Sequence, residues 1–181
     1  MKRNLLLAAI GLLAFGCDSP TMTTPEAADR AATPELAHRG PVIHRVFLGS
    51  ADACEALGQP VGCDANFSLT ASEFADGSVH GVWVDVFAGG VEGIRVAVDC
   101  LKVVGNGAVI GGVITSGTFG GVDVSGQRAF CAVVDNGVSA NDPADQISFS
   151  VFPIPAVADC ADQEPGFFQL LNLVHGQVTV H

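Results

Sequence analysis

The chain has 181 residues, the size of one ordinary domain with an extension rather than of two full domains. Hydrophobic residues make up 49% and charged residues 15%, which excludes a disordered chain, and twenty-two glycines without a Gly-X-Y period exclude collagen and suit a turn-rich β protein. Eight basic against nineteen acidic residues give a formal charge of -11, which argues against a nucleic-acid partner or a basic face for anionic lipid.

The chain opens with Lys2 and Arg3, then an apolar run from Leu5 to Gly16, then Cys17. That run is too short to span a bilayer, and a positive start before a short apolar core is the pattern of an export signal. Leu13-Ala14-Phe15-Gly16-Cys17 resembles a bacterial lipoprotein signal, in which the cysteine after a small residue is lipidated and becomes the first residue of the mature chain. The resemblance implies a signal peptide over 1–16, a lipid on Cys17 and a membrane partner reached through that lipid. If Cys17 is unmodified, the same pattern implies a secreted soluble protein. Removing Lys2 and Arg3 leaves six basic residues against nineteen acids, a formal charge of -13, so a lipid would hold the domain near a membrane that its surface repels.

Residues 17–40 hold three prolines, many Thr and Ala residues and no sustained apolar stripe, the composition of a flexible tether. From Pro41 the composition turns to Val, Ile, Phe and Gly, and 41–181 is long enough for one core. Strand signals follow in order: Val42 to Phe47, the alternating Phe67 to Ala71, and Val79 to Ala88 after a tight Asp76-Gly77 hairpin turn with both central residues at positive φ. Val79 to Ala88 carries apolar groups on both faces, which predicts a central strand with Trp83 in the core. Ile94 to Val104 alternates strictly, placing Ile94, Val96, Val98, Cys100, Lys102 and Val104 on one face. Gly105-Asn106-Gly107 turns the chain into Ala108 to Thr115, where Gly111-Gly112 predicts a bulge, a bend or a close backbone approach. Ala129 to Val134, Gln146 to Phe152 and Gln177 to Val180 complete the set, and Phe167 to Val174 reads as a strand or one helical turn. Seven to nine short strands separated by glycine-rich turns predict an all-β fold, an antiparallel barrel or sandwich.

With Cys17 set aside, five cysteines remain, and in an oxidising compartment they pair where geometry allows. Cys54 and Cys63 flank a short loop and are expected to bridge. Cys100 is expected to pair with Cys160 in preference to Cys131–Cys160, leaving Cys131 as a buried thiol. No CxxC pair and no histidine pair with ligand spacing supports zinc. The most polar stretch runs from Asp135 to Asp145. Its Asp135, Asn136, Asn141, Asp142 and Asp145 offer hard oxygen ligands for calcium, but the spacing is not that of an EF-hand. The competing reading is a surface loop with Asx-turns at Asp135 and Asn141. No GxSxG elbow, phosphate loop or glycosidase-like acid pair marks a catalytic residue. Asp85 and Asp99 lie on strands, either of them able to face inward.

Three segments, ADGSVHG at 75–81, VDCLKVVGNGAVIGG at 98–112 and VVDNGVSANDPADQIS at 133–148, resemble in order a family of exported bacterial β-domains of unassigned function. The resemblance spans roughly residues 66 to 180 and includes the Cys160 loop and the closing Gly176-Gln-Val-Thr-Val180 strand. It implies the architecture and no activity. These readings point to an exported envelope protein that acts as a non-enzymatic binding or structural module. The alternative is a small-ligand carrier or enzyme with its site inside a β-barrel.

Overall fold

In a computed structural model of the protein, the residues described are 39–52, 66–87, 90–139, 141–154 and 158–181. They form an 11-stranded antiparallel sheet and two single 3-10 turns. In chain order the strands are β1 (Val42–Asp52), β2 (Asn66–Phe74), β3 (Val79–Val86), β4 (Gly93–Val104), β5 (Gly107–Phe119), β6 (Val122–Asp123), β7 (Arg128–Val134), β8 (Gln146–Ser148), β9 (Val151–Ile154), β10 (Leu170–Asn172) and β11 (His175–Val180). The hydrogen-bonded path is β10-β8-β7-β5-β4-β3-β2-β1-β11, with β6 on β5 and β9 beside β8 on β7. The all-β expectation holds, and the single continuous path makes the fold barrel-like rather than a sandwich of two sheets.

The sheet has to curl, because its two edges are neighbours in sequence. β10 ends at Asn172 and β11 begins at His175, yet they stand at opposite ends of the path. Three residue steps reach at most about 11 Å. Nine strands laid flat at about 4.8 Å spacing would put the outermost strands about 38 Å apart. Only rolling the sheet brings the edges within reach. Inside the roll lie Val46 and Leu48 of β1, Leu69 of β2, Trp83 of β3, Val96 of β4, Ile110 and Ile114 of β5, Val133 of β7 and Val178 of β11, all buried.

Strict alternation fails in the middle of β4. Val98 pairs with Gly112 and Cys100 with Gly111, so Asp99 is an extra residue opposite no partner. This bulge inverts the faces. Ile94, Val96 and Val98 point inward before it and Leu101 after it, while Cys100 moves to the outer face. The expectation that Cys100 shares a face with Ile94, Val96 and Val98 is therefore corrected. The Gly111-Gly112 expectation holds in both its forms: the bulge lies opposite, and a Cβ on Gly111 would sit against the Phe130 ring and 2.7 Å from the Cys100 Sγ. The β2–β3 turn is longer than the two-residue hairpin expected. Glu73↔Val79 is the last pair, Gly77 takes φ 82, and Asp76 accepts the Ser78 N–H at 2.8 Å.

β3 has hydrogen-bonded neighbours on both sides and buries Trp83, as expected of a central strand. The stretches with both faces covered are the first half of β5, Gly107 to Gly112, and β7. Their second covering is a small outer core of Val109, Phe130, Ala132 and Cys160, overlain by Ala158, Phe168 and Leu170. The chain from 158 to 168 crosses the outside of the sheet as a strap. The expected run Gln146 to Phe152 is broken into β8 and β9, both on the same edge of β7. At the break the Ser148 hydroxyl accepts the Ala132 N–H at 2.8 Å, replacing a ladder bond that the bend removes. The ambiguous stretch from Phe167 to Val174 resolves into the end of a 3-10 turn, Pro165–Phe167, followed by β10.

Candidate functional site

The polar stretch between β7 and β8 lies where the rolled sheet meets itself. Asp145 is buried, and its two carboxyl oxygens accept the Asn136 N–H and the Val178 N–H, each at 2.7 Å. Asp135 accepts the Gly137 N–H at 3.0 Å and the Val180 N–H at 3.1 Å. The Asp145 carbonyl accepts the Leu173 N–H at 2.8 Å. Val178 and Val180 present these N–H groups on the side of β11 away from β1, where a barrel closed by backbone pairing would place another strand. Two aspartate side chains stand in for it.

The other members of the stretch hold the loop. Asn136 Nδ2 donates to the Ala144 carbonyl at 2.8 Å, and Asp142 accepts the Ser139 N–H at 2.8 Å. The Asx-turn expected at Asp135 is present through its bond to Gly137. The one expected at Asn141 is replaced by a Ser139 hydroxyl that accepts the Asn141 N–H at 3.2 Å. Asn141 and Asp142 are exposed. No group of three or more His, Cys, Asp or Glu side chains is placed to hold a metal among the described residues. A cleft of about 460 Å³ runs along the loop between Val138, Pro143, Leu173 and Gln177.

The outer strap is fixed at three points. Cys100 and Cys160 form a disulfide, the pairing the sequence favours, and Cys131 is a free, buried thiol. Lys102 Nζ donates to the carbonyls of Ala161 (3.0 Å) and Gln163 (2.8 Å) and to Glu164 Oε1 (2.6 Å). Arg128 donates to the Ala158 carbonyl at 3.0 Å and to Asp99 at 2.9 Å. Asp99 is thus an exposed ion-pair partner on the outer face. Cys17, Cys54 and Cys63 lie outside the described residues.

Asp85 is the inward acid. It continues the Trp83 face of β3, with Phe67 of β2 and Ile94 of β4 directly opposite. The Ser150 hydroxyl, in the break between β8 and β9, donates to the Asp85 carboxyl. Burial pushes Asp85 from 3.8 up to about 6, with the Ser150 bond pulling the other way. Burial also raises the Cys131 thiol far above its usual range, with the nearby Asp85 charge adding to it, so the thiol is neutral and unreactive. Beside this group Phe87, Phe119 and Phe152 meet, with ring centroids 5.5 to 6.3 Å apart. Ser150 and Phe152 carry no signal in the sequence, because their role depends on β9 bending in over β3. An acid between Trp83 and Phe87 on one face of a strand was the visible sign of an inward carboxyl.

The four described histidines do not converge. His44 pairs with Glu73 at 2.8 Å, His80, His175 and His181 are exposed, and His38 lies outside the described residues. Comparison with family models, curated proteins and solved structures gives no match.

Proposed function

We propose that this is an exported envelope protein, anchored by a lipid on Cys17, whose β-domain is a non-enzymatic binding or structural module held off the membrane by the 17–40 tether. The observation that carries the reading is the Cys100–Cys160 disulfide, which ties the strap to the sheet in a chain that opens with an export-type leader. Disulfides persist in oxidising compartments outside the cytoplasm. The leader and the bridge support the same location independently.

The way the interior is filled supports a module that works through its surface. Trp83, Leu48, Leu69, Ile110 and Ile114 occupy the centre of the roll with less than 2% exposure. A carrier would need an apolar chamber there, and an enzyme would need converging polar groups. Expression of the wild type and Cys17→Ala in a bacterial host tests the reading. The wild type is expected in the membrane fraction and to partition into detergent, and the variant in the soluble exported fraction. Both chains in the cytoplasm would overturn the proposal.

A further inference from the structure

We propose that the outer face of β1 to β4 binds a sparsely charged acidic polysaccharide, a glycan with an occasional uronate among neutral sugars. The proposal rests on the reading of the domain as a binding module and names its ligand class. Which side chains point outward follows from those that point inward. Val46 and Leu48 of β1, Leu69 and Ala71 of β2, Trp83 of β3 and Val96 of β4 are buried in the roll. Their neighbours along each strand stand on the outside, and the register aligns them. Phe47, Thr70, Val82, Ala97 and Val113 lie side by side across five strands. Phe47 is 50% and Val113 38% exposed, and Thr70 and Ala97 are exposed as well. Arg45, opposite Ser72, flanks this neutral row on one side. Arg95, on the far side of Val84 from Ser68, flanks it on the other.

The chain has a formal charge of -11, yet residues 45–49, 68–72, 80–84 and 95–97 include no acid. The acids next to those stretches are engaged elsewhere. Glu73 pairs with His44, Asp85 accepts the Ser150 hydroxyl, and Asp99 pairs with Arg128. Arg45 and Arg95 are exposed and, among the described residues, take part in no ion pair. Two unpaired guanidinium groups on an acid-free face of an acidic protein select an anion. Three strand spacings and four residue steps separate them, which puts their backbones about 20 Å apart. A densely charged polymer or an anionic membrane meets the repulsion of the whole protein. A chain whose charges are spaced as widely as the arginines meets both of them, with the neutral row between.

The chemistry of the face favours sugars. β2, β3 and β4 are hydrogen-bonded on both sides, so their backbones offer no edge to an added peptide strand. Recognition falls to side chains. The arginines present forks that match carboxylates. Ser68, Thr70 and Ser72 present hydroxyls that both donate and accept. The Phe47 ring offers a flat apolar face to the C–H side of a sugar. Beside Arg95 a groove of about 290 Å³ opens between Val84, Val86, Val91 and Ser116, room for one sugar unit. Glu92, which also lines it, is occupied by the N–H groups of Gly120 and Gly121 at 3.0 and 2.6 Å.

Binding of the purified full chain to immobilised gellan, a linear glycan with one glucuronate per tetrasaccharide, tests the proposal. Dextran serves as the uncharged glycan and poly-glutamate as the acidic polypeptide. Gellan is expected to bind, more weakly as salt rises, with dextran and poly-glutamate at background. Joint Arg45→Ala and Arg95→Ala replacement is expected to weaken gellan binding at least about tenfold, and Phe47→Ala by about threefold to tenfold. All three positions are exposed, and unchanged urea midpoints confirm that the variants fold. No binding to gellan, equal binding to dextran or poly-glutamate, or binding that survives the loss of both arginines would overturn the proposal. The assay does not depend on the lipid at Cys17, so its failure is distinct from a failure of the export and anchor reading, which fractionation reports.

Discussion

Asp145 is one side chain that answers for two backbone N–H groups on separate parts of the chain. Its oxygens hold Asn136 in the loop and Val178 on β11. Asn at this position would keep one acceptor and turn an NH₂ toward the other donor, leaving a buried N–H without a partner. Asp145→Asn is expected to cost about 2 kcal/mol in urea denaturation. Asn141→Ala, at an exposed position, is expected to change stability by less than about 0.5 kcal/mol. Calcium titration of the two variants and the wild type adds a check on the loop. A folded Asp145→Asn protein of wild-type stability would show that the carboxyl is not what joins the edges. Gly111 carries the opposite lesson, a residue defined by what it leaves out. Gly111→Ala would drive a methyl into Phe130 and the Cys100 sulfur, at an expected cost of about 3 kcal/mol. The sequence displayed the acids of the loop and the paired glycines openly. It could flag Gly111-Gly112 because a missing side chain inside a strand is itself a local signal. It could not give Asp145 its role, since Val178 is thirty-three positions away and meets it only when the sheet rolls up.

Among the elements, the strap shows how the outer core is held. Without it, Val109, Phe130 and Ala132 would face water on β5 and β7. The Cys100–Cys160 bridge closes a loop of 60 positions, which the chain-entropy model values at about 4 kcal/mol. Replacing both cysteines by serine is expected to remove about that much stability and to leave the fold in place, because Lys102 and Arg128 still hold the strap. Denaturation of the double variant checks both points; an unchanged midpoint would mean the bridge adds nothing to stability. The strands themselves were legible wherever one face is apolar and the other polar, as in β2 and the first half of β4. Legibility ended at Asp99, where one extra residue reverses the pattern, and at Phe149, where the edge strand breaks. Both irregularities serve contacts distant in sequence: the first turns Cys100 toward Cys160, the second brings Ser150 to Asp85. Two-residue β6 carries too few side chains to show any period.

At the scale of the whole molecule, the decisive feature is a short link. Leu173 and Val174 join the two outermost strands of the sheet, and this fixes a rolled sheet over a flat one or a two-sheet sandwich. Alternation and glycine-rich turns belong equally to barrels and sandwiches, so the choice was beyond them. β11 contributes Val178 to the interior and completes the edge of β1. A chain ending at Val174 is expected to lose cooperative unfolding, because it exposes that edge and leaves Asp135 and Asp145 without their distant partners; retention of a sharp transition would contradict the closure described here. The proposed function also belongs to this scale, since it joins the leader, the tether and the disulfide-bonded domain into one exported, anchored protein. The most direct test is the intact mass of the protein purified from the envelope of a bacterial host, before and after reduction and alkylation. The expected mass is that of a chain beginning at Cys17, heavier by a diacylglycerol or triacyl lipid, with Cys100 and Cys160 protected until reduced. A chain that keeps residues 1–16, carries no lipid and has both cysteines free would contradict it.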